Sequence, residues 1–359
     1  MVLDNLLDLT RQKSRAIFGE AIDVLSFSAL AGDASTRRYY RAQLTGSAGP
    51  RSIIIMQLAA GSSLPLSSEE LAVFKEPPRE LPFLNLQRFL SRIGVKVPAV
   101  YGHWEEEGIL LLEDLGDSAL WDRVQNVPES EVLRWYQKAI DQLLVLQICG
   151  TEQRDESCIA FQQRFDFRLY MWEFDHFLEY GLQKRPDVRV TPPVIERLRN
   201  IFSSMAQRLD REPACLNHRD YHSWNLMIHR EEVVLIDFQD ALLAPPQYDL
   251  ASLLNDRITD SVIRPPLEEQ LLSYYIQKSG EQGKPVSERD QFIETYLLSA
   301  VQRDLKVVGR FHYLDLVKGK NAYKKFIPPT LRRLKRNLQR LPQWAHLVSL
   351  LAVHFEEMR

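Results

Sequence analysis

Between Cys215 and Ala241 the chain reads CLNHRDYHSWNLMIHREEVVLIDFQDA. His218, His222 and His229 stand there with Asp220, Asp237, Asp240 and Asn225 among apolar residues. Groups of these types support two kinds of chemistry. Imidazoles bind zinc, and His218 and His222, four residues apart, would share one face of a helix. Oxygen ligands bind magnesium, which takes only one or two side chains from a protein, and Asn225 and Asp237 would supply them. A carboxylate left beside a substrate hydroxyl takes its proton. Asn217, Asp220, Ser223 and Asn225 disfavour a helix here, and no HExxH appears, so the pattern favours the oxygen site with Asp220 as the base. The histidines then have other work. His218 would pack and hydrogen-bond beneath the loop, His222 would line the site, and His229 would sit at the surface.

An oxygen-bound magnesium beside a positioned carboxylate is the equipment of phosphoryl transfer. The protein-kinase catalytic loop reads H-R-D-L-x-x-x-N, with Asp as base and Asn on the metal, and this chain reads H-R-D-Y-H-S-W-N from His218 to Asn225. VVLIDFQD then sets Asp237 at the end of an apolar strand, where a carboxylate is held rigidly at a cleft. A protein kinase carries a long activation loop ending in APE. Here the helical segment QYDLASLL begins at Gln247 and no APE follows. That leaves no room for a peptide-docking segment, so the acceptor is expected to be a small molecule with a hydroxyl.

The elements that must position these residues fall into two groups. Leu3, Leu6, Leu7, Ile17 and Phe18 predict an opening amphipathic helix. VLSFSAL (24–30), TRRYYRAQL (36–44) and RSIIIMQL (51–58) predict three strands, and 59–79 a loop. Residues 80–93 predict a helix ending at Gly94, and VKVPAVYGHW and EGILLLEDLG two further strands. Beyond a link at 113–116 the pattern turns helical: 131–148 with Ser130 as cap, 165–180, 194–209 with Thr191 as cap, and most of 249–359. One polar loop and one short strand, EVVLID, interrupt it. The expected fold is α+β and bilobal, like a protein kinase: an antiparallel-sheet N-lobe over 1–115 and a helical C-lobe over 116–359.

Bulk properties narrow the function. The chain has 359 residues, 45% hydrophobic and 26% charged, with a net charge of −3. Nothing in that balance points to a nucleic-acid partner. Cys149, Cys158 and Cys215 are an odd number without a CxxC pair, which fits reduced thiols. Asp4 and Asp8 interrupt any apolar leader, and no run is long enough to span a bilayer, so a cytoplasmic protein without membrane contact is expected.

GDASTRRYYR (32–41), GILLLEDLGD (108–117), HRDYHSWNLM (218–227), LIDFQDALLAPPQYDLASLL (235–254) and QRDLKVVGRF (302–311) carry a resemblance. They resemble the aminoglycoside phosphotransferase and choline kinase superfamily, and within it the bacterial anomeric N-acetylmuramate/N-acetylglucosamine kinases of cell-wall recycling. The resemblance covers residues 24–340. It implies ATP as donor, Mg²⁺ as cofactor and a sugar hydroxyl as acceptor. Asp220 would be the catalytic base, with Asn225 and Asp237 on the metal. Glu113 to Leu115 would be the hinge for adenine. The turn Gly32-Asp33-Ala34-Ser35-Thr36 would cover the phosphates with its amides and hydroxyls. Asp249 would cap the following helix, brace the catalytic loop, or both.

One departure stands out. Most relatives of the superfamily grip the phosphates with a lysine on the third strand, where this chain has IIIMQ and Met56. The anomeric sugar kinases also tolerate a methionine there. Arg38 and Arg41 on the neighbouring strand are the nearest substitutes, with Arg37 a third. For the acceptor pocket, His222, Asp240 and Asp175 are candidates, together with Glu173 and His176 on the aromatic stretch 165–180, whose rings would either stack on a sugar or pack as core. Arg303, Asp304 and Lys306 would suit an acidic acceptor or form helix-surface ion pairs, and the basic run 318–340 reads as a solvated face. An aminoglycoside or choline acceptor, and a nucleotide-binding pseudokinase, remain the competing expectations.

Overall fold

The computed structural model describes residues 3–30, 37–46, 49–58, 80–256 and 259–359. Helix α1 (Leu3–Phe18) leads into a sheet of β1 (Val24–Ala29), β2 (Arg38–Leu44), β3 (Ser52–Gln57), β4 (Val100–Trp104) and β5 (Ile109–Glu113). The strands are antiparallel in the order β1-β2-β3-β5-β4, with α2 (Pro82–Arg92) inserted before β4. Alternation of side chains gives the sheet two different faces. Tyr40, Ala42, Ile53, Ile55, Ile109 and Leu111 form a small core under α1, closed by Leu6 and Phe18. Met56, Leu110 and Leu112 point the other way and join the main core with Leu86, Phe89 and Leu90 of α2. Leu3 and Ile17 of α1, expected on its apolar stripe, are exposed.

The second lobe is helical around short strands. Helices α3 (Leu120–Arg123) and α4 (Glu129–Leu144) come first, and α4 runs on into a π-helical turn, Val145–Cys149. Helix α5 (Phe167–His176) likewise passes into a π-helical turn, Phe177–Gln183, and α6 (Pro192–Asp210) follows. Four short strands then build the site: β6 (Cys215–Asn217), β7 (Leu226–His229), β8 (Glu232–Leu235) and β9 (Leu242–Ala244). They pair as β6–β9 and β7–β8. Helices α7 (Pro246–Leu254), α8 (Pro265–Glu281), α9 (Arg289–Leu316), α10 (Ile327–Gln339) and α11 (His346–Leu351) complete the lobe.

Four expectations are corrected here. The lobe has four short strands where one was expected, because runs of three or four residues leave no readable alternation. Helix α4 begins after Pro128, so Ser130 lies inside it and caps nothing. The helix expected over 165–180 starts at Phe167, capped by Asp166, which accepts from the Leu169 amide at 3.0 Å. Helix α7 begins after Pro245, so Asp249 is a helical residue and not its cap. Among the described residues the three cysteines are free thiols, and no helix is long and apolar enough to cross a membrane.

Candidate active site

Two backbone residues in the left-handed region mark the site. Arg219 has φ 79° and Asp237 has φ 62°. For a residue with a side chain this conformation costs about 1–3 kcal/mol, so neighbours must hold it. At Arg219 they hold both backbone polar groups and one end of the guanidinium. Its amide donates to Asp249 Oδ1 at 3.0 Å, its carbonyl accepts from Arg303 Nη1 at 2.8 Å, and its guanidinium reaches Glu173 Oε1 at 3.4 Å. Asp249 Oδ2 also accepts from the His218 amide at 2.5 Å. A single buried carboxylate on α7 thus fixes two successive peptides of the loop. Burial pushes Asp249 up to about 7, against those two amides and the Arg303 charge.

His218 joins the loop to the segment after β8. Its Nδ1 accepts from the Asp220 amide at 3.3 Å and its Nε2 donates to the Ile236 carbonyl at 2.9 Å. Burial holds its pKa down, which keeps the ring neutral as these two bonds require. The Ile236 amide donates to the Asn225 carbonyl at 3.0 Å. Ile236 is therefore gripped on both sides, and that sets Asp220, Asn225 and Asp237 relative to one another. Below the loop, the Tyr221 hydroxyl donates to the Ala139 carbonyl of α4 at 2.7 Å.

The donor set suits magnesium. Asn225 Nδ2 donates to the Asp220 carbonyl at 3.0 Å, which fixes the amide and turns its oxygen the other way. Gln239 Nε2 donates to Asp237 Oδ1 at 2.8 Å and orients that exposed carboxylate. Zinc does not fit. Residues 218–225 form a loop, so the shared helix face is absent, and both nitrogens of His218 are committed to backbone groups.

Asp220 is open to the cleft, with 37% of its side chain exposed. Arg303 lies 3.6 Å from its carboxylate and Lys306 3.9 Å. Burial alone would raise its pKa, but Lys306 and Arg303, then His222 and Arg219, hold it far below the carboxylate range. Asp220 is thus ionised at neutral pH, as a hydrogen-bond acceptor for a substrate hydroxyl must be.

Of the acceptor-pocket candidates, His222 and Asp240 reach this cluster. His222 Nε2 lies 3.5 Å from Asn225 Nδ2, and Asp240 acts electrostatically on Arg219. Asp175 does not. It lies two residues from buried Glu173, turned from it around α5, and pairs with Arg199 of α6 at 2.8 Å. Phe165, Tyr170, Phe174 and Phe177 are core, whereas His176 stacks in a half-buried group with Trp172, Tyr180 and Tyr313. The structural role of Arg219 carries no signal beyond the H-R-D triplet itself, whereas the Asp249–loop bonds are the bracing that the family resemblance implied. His229, expected at the surface, is half-buried and bonds the Leu115 carbonyl through Nδ1 at 3.2 Å, tying the lobe link to β7.

The opposite wall of the cleft comes from β2 and β3. Gly32, Ser35 and Thr36 lie outside the described residues. Register pairs Tyr39 with Met56 and Arg38 with Gln57, so Arg38 is exposed on the far face from Met56. Arg41 braces the link: it binds Asp114 at 2.8 Å and Asp117 at 2.7 Å, and reaches the Gly116 carbonyl at 3.2 Å. Arg37 is buried against the phenol of Tyr39, and that phenol lies within electrostatic reach of Asp237. Of the three arginines, Arg41 is the one that the link engages. Glu113, expected to open the hinge, folds its carboxylate back to the Ala99 amide at 3.2 Å.

Three comparisons bear on this site. A family model described as "Phosphotransferase enzyme family" matches residues 26–286. An N-acetylmuramate/N-acetylglucosamine kinase from Pseudomonas aeruginosa is 28% identical over 89% of this chain and 86% of its own. One from Neisseria meningitidis serogroup B is 29% identical, over 89% and 88%. Among solved structures, a choline kinase from Cryptosporidium parvum superposes with a TM-score of 0.62 at 9% identity, covering 97% of each chain, which is likeness of fold.

Proposed function

We propose a specific reaction for this chain, which belongs to the phosphotransferase enzyme family: transfer of the γ-phosphoryl group of ATP to the anomeric hydroxyl of an N-acetylated amino sugar. The likeness to two N-acetylmuramate/N-acetylglucosamine kinases over nearly the whole chain carries the choice of acceptor. The cluster at Asp220 carries the chemistry. Its carboxylate would accept a hydrogen bond from the sugar hydroxyl and take the proton as the oxygen attacks phosphorus in line. The new O–P bond forms as the bond to the β-phosphate oxygen breaks, and that oxygen keeps the electron pair. An anomeric hydroxyl is more acidic than an ordinary alcohol, which matches a base whose affinity for protons is held so low. Asn225 and Asp237 would hold Mg²⁺, which supplies neutralising charge to the phosphates when bound. Arg37 would serve the phosphates in place of the lysine missing at Met56, and the link around Glu113 and Leu115 would receive adenine.

The charge at the base also speaks against a cationic acceptor. Glu173 is fully buried, so the cation at the opening beside the Asp220 carboxylate is the Lys306 ammonium. A choline or aminoglycoside acceptor would meet it head-on, and a neutral or acidic sugar would not. A coupled assay of ADP release tests this with N-acetylglucosamine, N-acetylmuramate, glucose, choline and kanamycin. Turnover is expected with the N-acetyl sugars and abolished in Asp220→Asn. Turnover with choline or kanamycin alone would overturn the assignment.

A further inference from the structure

We propose that Lys306 is a catalytic residue: its ammonium contacts an oxygen of the phosphoryl group in transit, from the C-lobe side of the cleft. The proposal deepens the phosphotransferase reading above and rests on it.

The argument starts from what holds Lys306. Its Nζ lies 3.2 Å from Glu173 Oε1 and 3.9 Å from Asp220 Oδ1. Glu173 needs no third partner for its own burial, since Arg219 reaches it at 3.4 Å and Gln302 donates at 2.7 Å. Those two stay inside, with Arg219 4% exposed and Gln302 0%, whereas the Lys306 side chain keeps 18% of its surface at the opening. Arg303 cannot take the same role. It is 7% exposed, lies over the Tyr248 ring, and donates to the Arg219 carbonyl. Lys306 is thus anchored from below and directed toward the base.

Distance then says what it would touch. An acceptor oxygen sits about 2.7 Å from the carboxylate that takes its proton and about 3–3.5 Å from the phosphorus it attacks. An ammonium 3.9 Å from that carboxylate, on a flexible four-carbon stem, reaches an oxygen on the transferring phosphorus. Charge spreads over those oxygens in the transition state, and fixed cations there lower the barrier. The third strand supplies no cation at Met56, so the need on this side is larger than in a relative that keeps the lysine.

The backbone of α9 carries an independent sign. One turn after Lys306, Gly309 lies against the π-helical turn of α5, where a Cβ would come within 2.7 Å of Phe177 Cα. Any side chain at 309 would push α9 away and draw Lys306 off Glu173 and Asp220. The close approach of the two helices is what brings the ammonium to the base.

The test uses Lys306→Met and Lys306→Arg in the full chain, with two readouts. The first needs no acceptor: the affinity for MgADP by calorimetry, with and without aluminium fluoride, which stands in for the phosphoryl group in transit. MgADP alone should bind Lys306→Met within about twofold of the parent, while the tightening by fluoride falls at least about tenfold. The second is steady-state turnover. For Lys306→Met, kcat should fall about 10²-fold with unchanged KM for N-acetylglucosamine and N-acetylmuramate. Lys306→Arg keeps the pair with Glu173, so it should melt with the parent and still lose about tenfold in kcat, which separates the role from a folding defect. Full fluoride tightening in Lys306→Met would overturn the proposal. So would a KM increase confined to N-acetylmuramate, since the cation would then read the acceptor's carboxylate. Lack of turnover by the parent on either sugar would sink the acceptor assignment and leave the fluoride result standing.

Discussion

The two walls of the cleft are built differently. On the C-lobe wall the residues around Asp220 are tied by backbone bonds, through Asp249, His218 and Arg303, to α7, to the segment after β8 and to α9. On the N-lobe wall, position follows from strand alternation: Met56, Tyr39 and Arg37 share the cleft side, and Arg38 does not. The first wall fixes atoms through local motif chemistry. The second presents a face and leaves the reach to long side chains. Substitutions should therefore act on turnover at the first wall and on nucleotide affinity at the second.

The largest effect is expected at Asp220, the proposed base. Asp220→Asn should lower kcat by about 10²–10⁴-fold with MgADP affinity little changed, measured by coupled turnover and calorimetry. Asp249→Asn comes next. It leaves the buried Asp249 position with one acceptor for the two amides of His218 and Arg219, so stability should fall by about 1–3 kcal/mol in urea unfolding, with kcat down about tenfold. Intact kcat and stability together would mean that the loop holds itself without α7. At the second wall, Arg37→Met should raise the KM for ATP about tenfold and Arg38→Met less than twofold. Equal effects would break the alternation argument.

The smallest effect concerns pH and lies outside both walls. Burial, then Arg185, pushes His312 down to about 4, against Asp187 and Asp315, with Lys324 adding to the depression. A histidine with a lowered folded-state pKa contributes stability that is present above its unfolded value and lost as pH falls toward the folded one. From pH 7 to pH 5 the parent should lose about 2 kcal/mol more than His312→Asn in paired urea titrations. Equal losses in the two proteins would contradict a neutral half-buried imidazole.

The sequence made the C-lobe wall legible because H-R-D-Y-H-S-W-N and VVLID are local: spacing alone places an Asp, an Asn and a second Asp in one loop and at one strand end. The bilobal order, the five-stranded sheet and the helix before β4 were readable for the same reason, from alternation and helical period. What could not be read depends on register and on distant partners. Arg37, Arg38 and Arg41 are equivalent in a string; the pairing of Tyr39 with Met56 sets Arg38 apart, and the bonds to Asp114 and Asp117 set Arg41 apart. Asp249 reads as a helix cap, a brace for the loop or both, until Pro245 is seen to start the helix and leaves the brace. His229 reads as surface until the lobe link folds beside it. Glu173, Arg303 and Lys306 were visible as charges on two apolar helices, but sequence alone does not show that α5 and α9 meet behind the base.

The account turns on Asp220 taking the proton of an anomeric hydroxyl as that oxygen receives the phosphoryl group of ATP. The most direct measurement is ³¹P NMR of the purified protein with MgATP and N-acetylglucosamine or N-acetylmuramate, beside Asp220→Asn. A sugar 1-phosphate resonance that grows with ADP and is absent in the variant is the expected result. Phosphate on another sugar hydroxyl, or ADP and inorganic phosphate with no sugar phosphate, would contradict it.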